Sequence, residues 1–330
     1  MKRNDLQDLS PEDRDLFKRA WETARDHHGD DFTFYLPGMI RYGRERGKYP
    51  AISITGDSCE LLCEHCKGAL LEPMIKVRDP SELIARAKGL KKAGAHGLLL
   101  SGGADSGGRL PWEKFYGAIE KVSQETGLYL SAHTGFPDKA TCTALKNTGV
   151  KQGLIDVMGD DETARRIYHL PSLDRIIEAA GNIKESGLEF APHIVVGLYY
   201  GKIRAEYEAL EMISRFRPSV LVVVVLTPLK GLPMARVTPP SPLETARLIA
   251  RARLLMPDLP ISLGCERPRN RDGRQLEVLA VRAGATRMAV WSEEAIEVAE
   301  DLGLKPRFQP TCCSLEFRPD FKCLGPVDSI

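Results

Sequence analysis

The chain has 330 residues and a formal net charge of +1 at pH 7, with 46 Lys and Arg against 45 Asp and Glu. This balance provides no overall field that would attract nucleic acid or an anionic membrane, so neither is expected as a partner. The start MKRNDLQDLS lacks the apolar segment of a secretory signal, and the longest apolar run, SVLVVVVL, has only the length of a strand. We expect a cytoplasmic protein whose cysteines are reduced, so that clustered cysteines indicate metal binding or catalysis.

The order of predicted elements indicates a repeated β-α fold. Residues 1–50 contain a helix over roughly Pro11–His27, and eight strand-length apolar segments then alternate with amphipathic helical stretches. The predicted strands span 51–56, 96–101, 128–133, 153–158, 190–196, 220–226, 261–265 and 287–291. Eight units favour an α/β fold of the (β/α)8 TIM type, with an open doubly wound sheet as the alternative. We divide the chain into an N-terminal extension (1–50), the barrel (51–303) and an irregular, cysteine-bearing C-terminal tail (304–330).

A C-x3-C-x2-C motif follows the first predicted barrel strand. It places Cys59, Cys63 and Cys66 on the first βα loop, where the active sites of barrels lie. Three thiolates can ligate three irons of a [4Fe–4S] cluster and leave the fourth iron open to a small chelating molecule. The alternative is a structural zinc site that includes His65, but such sites usually have two paired C-x2-C knuckles and no second knuckle follows nearby.

The motif resembles the signature of the radical S-adenosylmethionine (SAM) superfamily, in which a ring-bearing residue precedes the third cysteine, as His65 does here. The resemblance implies that the open iron binds the amino and carboxylate groups of SAM. It also implies that one electron, from a reducing donor such as ferredoxin, breaks the sulfonium and yields a 5′-deoxyadenosyl radical. The cofactor would carry the chemistry, and the protein would position it.

The same resemblance implies further SAM contacts in chain order. The matching positions are Ser101, Gly102 and Gly103 for the amino group, Asp156 and Asp160 for the ribose, and Val195 and Gly197 beside adenine. The two aspartates have a second interpretation, since either could be the N-cap of the following helix. No catalytic residue is identified from the sequence.

The segment LTPLKGLP after the sixth strand resembles the biotin synthases and their relatives, which insert sulfur at unactivated carbons. Biotin synthase takes that sulfur from a [2Fe–2S] cluster held by three barrel cysteines and an arginine. Of those positions this chain offers only Cys142, on the helix after strand three, and Cys265, where biotin synthase has its arginine. The resemblance therefore does not extend to the sulfur donor of biotin synthase itself.

A second group of cysteines consists of Cys265, Cys312, Cys313 and Cys323. Nine residues of extended chain after Gly303 reach about 30 Å, more than the height of a strand, about 17–20 Å. Cys312 is thus expected beside Cys265 at the upper rim of the barrel, and a second [4Fe–4S] cluster on Cys265, Cys312 and Cys313 is predicted. Vicinal cysteines point apart in a strand, so Cys323 or Ser314 is an alternate ligand, and free thiols in a loose tail are the other interpretation.

Together with the PGMIRY segment and the block around the first cysteines, these features are similar to the biotin-synthase-like proteins of two-component lipoyl synthases. That similarity implies a sulfurtransferase of lipoate biosynthesis. Its partners would be a carrier protein bearing octanoyl-lysine, a paired radical SAM protein and an electron donor. The alternatives are biotin synthase or another biotin-synthase-like enzyme that rearranges or forms carbon–carbon bonds, and, from a different class, a non-enzymatic iron–sulfur or zinc carrier.

Overall fold

The computed structural model describes residues 9–321. Its strands are β1 Asp31–Tyr35, β2 Arg41–Tyr42, β3 Glu45–Arg46, β4 Ala51–Ser53, β5 Ile75–Lys76, β6 Gly97–Ser101, β7 Tyr129–His133, β8 Gln152–Asp156, β9 Glu189–Val196, β10 Leu221–Val225, β11 Ile261–Leu263, β12 Arg287–Ala289 and β13 Lys305–Gln309. Its α-helices are α1 Pro11–His28, α2 Pro80–Lys92, α3 Tyr116–Thr126, α4 Lys139–Asn147, α5 Asp161–Tyr168, α6 Asp174–Glu185, α7 Glu206–Ser214, α8 Pro242–Leu255, α9 Arg271–Arg282 and α10 Glu293–Asp301. All eight predicted barrel strands are present.

Eleven strands form one parallel sheet in the order β13-β1-β12-β11-β10-β9-β8-β7-β6-β4-β5, and β2 and β3 form a separate antiparallel pair. The sheet is curled with helices around it, which confirms the predicted α/β TIM-type fold. Within residues 9–321 no strand ladder joins β13 to β4, so the sheet itself is a half-barrel. Across that gap, the amide of Lys48 donates a hydrogen bond to the carbonyl of Pro310 at 2.6 Å.

The sheet extends into both segments that the sequence analysis placed outside the barrel. Strand β1 lies between β12 and β13, and residues Lys305–Gln309 are a regular strand and not irregular tail. The side chains of β1 alternate, as a strand requires: Phe32 and Phe34 belong to the core cluster packed under the helices. The ring of Phe34 stacks on Phe308 with 5.3 Å between ring centroids, and this contact joins β1 to β13.

The curled sheet encloses a lumen whose inner wall is a second apolar cluster. This cluster combines Tyr35, Leu154, Ala191, Val220, Val222, Val224, Ala289 and Cys313. Its members come from strands as distant in the sheet order as β1 and β8, so their side chains can meet only if they face the inside of the curl. Cys313 therefore lies within the lumen.

Helix α1 packs against the outer helix α8 through a bidentate ion pair. The guanidinium of Arg247 donates to the two carboxylate oxygens of Asp13 at 2.7 and 2.8 Å. This hydrogen bonding lowers the pKa of Asp13 although burial opposes it. None of the helices in the described part of the chain combines the length and apolar character that crossing a membrane requires.

We expect Phe34→Ala to lower the free energy of unfolding by about 3–5 kcal/mol, because the substitution leaves a cavity where β1, β13 and Trp291 meet. Chemical denaturation monitored by circular dichroism measures this change. Ile177→Ala is the matched control, since Ile177 is 40% exposed and its truncation should cost no more than about 0.5 kcal/mol. Equal losses in the two variants would contradict the packing role of Phe34.

Candidate functional site

The loop that carries the first three cysteines is held in a compact, irregular shape after β4. The amide of Cys66 donates to the carbonyl of Cys63 at 3.1 Å, and the amide of Ala69 donates to the carbonyl of Cys66 at 2.7 Å. Two further hydrogen bonds attach the loop to the barrel. The amide of Glu60 donates to the carbonyl of Ala104 at 2.8 Å, and the amide of Glu64 donates to the carbonyl of Ile167 at 2.9 Å. We call residues 57–68 the cluster loop.

Three donor groups of the cluster loop converge. One ligand atom each of Cys63, His65 and Cys66 lies within 4.8 Å of the others, while Cys59 lies outside this tight group. Cys59 is nevertheless near enough for its charge to raise the pKa of Cys63. A hydrogen bond with Cys63 lowers the pKa of Cys66 to about 4 and raises that of Cys63 itself, so the two sulfurs share a proton.

These residues fit the cofactor that the sequence predicts. Three thiols supply the number of ligands that leaves one iron of a [4Fe–4S] cluster open. The ring of His65 is enclosed, its Nδ1 is buried without a partner in the described structure, and it lies 5.4 Å from the ring of Tyr168. Burial would lower the pKa of His65, but its hydrogen bond to Cys66 raises it and so keeps a proton beside the thiolate.

The predicted Ser101-Gly102-Gly103 stretch borders the cluster loop, with Ser101 ending β6. The amide of Gly103 donates to Thr55 Oγ1 at 2.7 Å. A Cβ added at Gly103 would lie 1.9 Å from the carbonyl oxygen of Ser58 and 2.5 Å from Cα of Cys59. Only glycine allows this approach of the two backbones, so Gly103 fixes the position of the first cysteine.

The two predicted ribose carboxylates have different surroundings. Asp160 is the N-cap of α5, accepting from the amide of Thr163 at 2.7 Å, and it forms an ion pair with Arg204. Asp156 ends β8 and points toward the lumen, where its Oδ2 accepts from the hydroxyl of Tyr168 at 2.6 Å. The N-cap interpretation therefore describes Asp160 and does not describe Asp156.

The predicted adenine positions lie at the end of β9. Val195 is partly buried, and Gly197 adopts a φ of 78° in the turn that follows. The amide of Gly197 donates to the buried carboxylate of Glu206 at 2.8 Å, and the amide of Arg204 donates to the same carboxylate at 2.7 Å. Sequence reasoning did not single out Glu206, which holds this turn in place.

The C-terminal segment returns into the lumen after β13. Leu315 contributes its carbonyl oxygen, which accepts hydrogen bonds from Tyr35 at 2.8 Å and from Arg287 at 2.7 Å. Gln152, the first residue of β8, donates to the carbonyl of Ser314 at 2.9 Å. Residues 310–316, which we call the tail turn, therefore contact the first residues of β8 and β12 and the last residue of β1. The sequence analysis expected Cys312 beside Cys265 at the upper rim, and the charge of Cys312 does act on Cys265.

The vicinal cysteines do not point apart as they would in a strand, because the chain is irregular here. A hydrogen bond between the two sulfurs lowers the pKa of Cys312 to about 6 and raises that of Cys313. Ser314 Oγ lies 3.3 Å from the sulfur of Cys312. Ser262 Oγ is buried beside Cys313, and its hydrogen bond partly offsets the rise in the pKa of Cys313. The turn thus presents two thiols and two hydroxyls to one region of the lumen.

Cys265 follows β11 and packs against the same inner cluster as Cys313. Burial raises the pKa of Cys265 to about 11, and the charge of Cys312 adds to the shift. Cys142 is buried on α4 in the outer core, away from these thiols. Cys323 lies outside the described residues.

The two arginines after Cys265, Arg267 and Arg269, are held by contacts within the protein. Arg267 is fully buried and forms an ion pair with Glu277 at 2.6 Å. It also donates to the carbonyl of Ala289 at 2.8 Å. Arg269 donates to the carbonyl of Cys265. Both arginines fix the loop that carries Cys265.

A third group of donors was missed at the sequence level. His133, Asp156 and His193 end or occupy the neighbouring strands β7, β8 and β9, and one ligand atom of each lies within 4.8 Å of the others. The sequence analysis assigned no site to the two histidines. Their signal was their position near the carboxyl ends of adjacent parallel strands, which meet at one edge of a sheet.

We expect Gly103→Ala to remove most of the iron from the cluster loop, because the added methyl group displaces Ser58 and Cys59. Iron and sulfide analysis of anaerobically reconstituted protein measures the loss. The control is Gly117→Ala in α3, where an added Cβ meets no atom within 4 Å. The control should keep its iron and be as stable as the parent or more so, by up to about 1 kcal/mol. An unchanged iron content in Gly103→Ala would contradict the close approach.

No family model matches the chain. Among curated proteins it is similar to the biotin synthase of Acetivibrio thermocellus, with 26% identity over 254 residues covering 73% of this chain and 77% of the relative. It is also similar to the biotin synthase of Heliobacterium modesticaldum, with 28% identity over 315 residues, which cover 86% of this chain and 92% of the relative.

Solved structures share the fold. Methylornithine synthase (PylB) superposes with a TM-score of 0.65 at 19% identity, covering 91% of both chains. The hydrogenase maturase HydG from Carboxydothermus hydrogenoformans superposes with a TM-score of 0.63 at 16% identity, covering 91% of this chain and 73% of that chain. The cysteine triad on the first barrel loop and the likeness to the biotin synthases support a [4Fe–4S] cluster and SAM as cofactors. The chain is therefore similar in sequence to the biotin synthases, and it shares the fold of these solved structures.

Proposed function

We propose that this protein inserts sulfur into an aliphatic chain as one component of a two-protein lipoyl synthase. The observation that carries the proposal is the tail turn, which returns Cys312 and Cys313 into the lumen near Cys265. Free thiols on a loose tail would not need the buried anchors that Tyr35, Arg287 and Gln152 provide. The substrate would be an octanoyl or mercapto-octanoyl chain on a carrier-protein lysine.

Two groups of cysteines would have different roles in this reaction. Cys59, Cys63 and Cys66 would hold the SAM-binding cluster, and Cys265, Cys312 and Cys313 would hold a second [4Fe–4S] cluster. When bound, SAM and the first cluster would supply a 5′-deoxyadenosyl radical that takes a hydrogen atom from the substrate chain, and the second cluster would supply the sulfide that the resulting substrate radical takes up. The protein supplies an inner wall of aliphatic side chains such as Val222 and Val224. That wall excludes water from the lumen, and a substrate radical requires such a water-free site.

Two further partners follow from the proposal. An electron donor such as ferredoxin would reduce the first cluster, and a paired radical SAM protein would insert the other sulfur. A surface groove of about 730 Å³ borders the cluster loop on the outside of the barrel. Its lining includes Cys59, Gly103, Arg109 and Trp112, and it offers a donor an approach to the first cysteine.

The second candidate is biotin synthase activity, which the names of the curated relatives favour. The same substrate lumen could hold a small ring compound in place of an acyl chain. Cys142 lies in the outer core and Cys265 lies in the lumen, so the described residues do not bring the two together as ligands of one [2Fe–2S] cluster. This placement is why we put the lipoyl assignment first.

Iron counting tests the second cluster. Anaerobically reconstituted parent protein should contain about eight irons per chain, and the double variant Cys312→Ser/Cys313→Ser should contain about four. The matched control is Cys142→Ser, a buried cysteine outside the lumen, which should keep about eight. A parent protein with only about four irons would rule out the second cluster and leave the first unaffected.

Turnover tests the substrate. With SAM and a strong reductant under anaerobic conditions, we expect an octanoyl-lysine peptide or its mercapto-octanoyl form to gain one sulfur, as seen by mass spectrometry. Dethiobiotin serves as the comparison substrate. A mass gain on dethiobiotin alone would favour biotin synthase, and 5′-deoxyadenosine without any sulfurated product would indicate another radical reaction. No 5′-deoxyadenosine at all would indicate a metal carrier.

A further inference from the structure

The His133–Asp156–His193 group lies between the two cysteine groups. Tyr168 links it to the cluster loop, since its hydroxyl donates to Asp156 while its ring lies 5.4 Å from that of His65. Burial lowers the pKa of His133, but Asp156 raises it and the charge of Cys312 adds to the rise. The group therefore lies near both cysteine groups and includes no cysteine.

Two members, His193 and Asp156, have one polar atom held by the protein and one directed into the group. His193 Nδ1 lies 3.2 Å from the carbonyl of Ala191, which fixes the tautomer with a proton on Nδ1 and leaves the lone pair on Nε2. Asp156 Oδ2 accepts from Tyr168 at 2.6 Å, which leaves Oδ1 directed toward His133. Metal-binding histidines and carboxylates are oriented in this way by partners of their second polar atom.

The contacts within the group are too long for a closed hydrogen-bond network. His133 Nε2 lies 3.5 Å from Asp156 Oδ1, the outer limit of a hydrogen bond. The two imidazole rings lie 5.7 Å apart by their centroids, and in the described part of the chain the carbonyl of Ala191 is the hydrogen-bond partner of His193. Small ring rotations would bring the three ligand atoms around one ion.

The group is accessible from the lumen. About 31% of the His133 side chain and 24% of the Asp156 side chain remain open to the lumen, so an ion can enter.

We infer that His133, Asp156 and His193 bind one divalent first-row cation, such as Fe²⁺, Mn²⁺, Co²⁺ or Zn²⁺, as a site separate from both cysteine groups. Two imidazoles and a carboxylate are the donors that these ions prefer when no thiolate is present. Three protein ligands leave further coordination positions open toward the lumen. A ligand with a thiolate or carboxylate group could then bind the ion at the depth where a substrate chain would lie.

Cobalt titration of the full chain tests this site. Anaerobically reconstituted protein, with its iron content measured before and after, is titrated with Co²⁺ alone. We expect one equivalent to bind with weak d–d absorption and without the intense thiolate-to-cobalt charge-transfer bands that a cysteine site produces. His193→Ala and Asp156→Asn should each weaken binding by at least about 100-fold, and Tyr168→Phe by about 10–100-fold through its effect on Asp156.

The matched control is His27→Ala, which removes an exposed histidine paired with Asp258 on the surface and should leave the cobalt affinity unchanged. Circular dichroism and retained iron show that each variant is folded. Thiolate-to-cobalt bands, no binding by the parent protein, or equal affinity in the parent and His193→Ala would each overturn the proposal. The readout is independent of sulfur insertion, so failure of the lipoyl assignment would leave it standing.

Discussion

The contact between β1 and β13 is the constraint on which the arrangement of the lumen depends. The two strands are parallel and pair at five positions, from Asp31 with Lys305 to Tyr35 with Gln309. Because β13 is aligned in this way, the chain that follows it must turn into the barrel, where Tyr35 and Arg287 hold the carbonyl of Leu315. The two vicinal cysteines are thus positioned by a strand pairing outside the predicted barrel.

Three groups of donors are consequently arranged along one lumen. The cluster loop follows β4, the tail turn follows β13, and the histidine–aspartate group lies on β7, β8 and β9. Tyr168 contacts the first and third groups, and Cys312 influences the third through its charge. Such an arrangement suits chemistry in which one reactive species is generated at one level and consumed at another.

Much of the fold could be predicted because its signals are local. Each barrel strand is a short apolar run bounded by turn residues, and the cysteine spacing on the first loop is a sequence pattern in itself. Strands β1 and β13 were missed because each has only five residues and they are partnered by each other, a pairing that no local pattern reveals. The depth of Cys312 in the barrel could not be derived from the sequence, since chain length sets only an upper limit on reach.

The pairing of β1 with β12 and β13 also has a consequence for how the protein is made. During synthesis β1 leaves the ribosome long before its two neighbours in the sheet, β12 and β13. Until they are made, the backbone groups of β1 are unpaired and Phe32 and Phe34 are not yet buried. The cluster loop and its attachments to Ala104 and Ile167 are complete much earlier in synthesis. The cluster loop and its attachments are therefore complete in the nascent chain before the tail turn is synthesised.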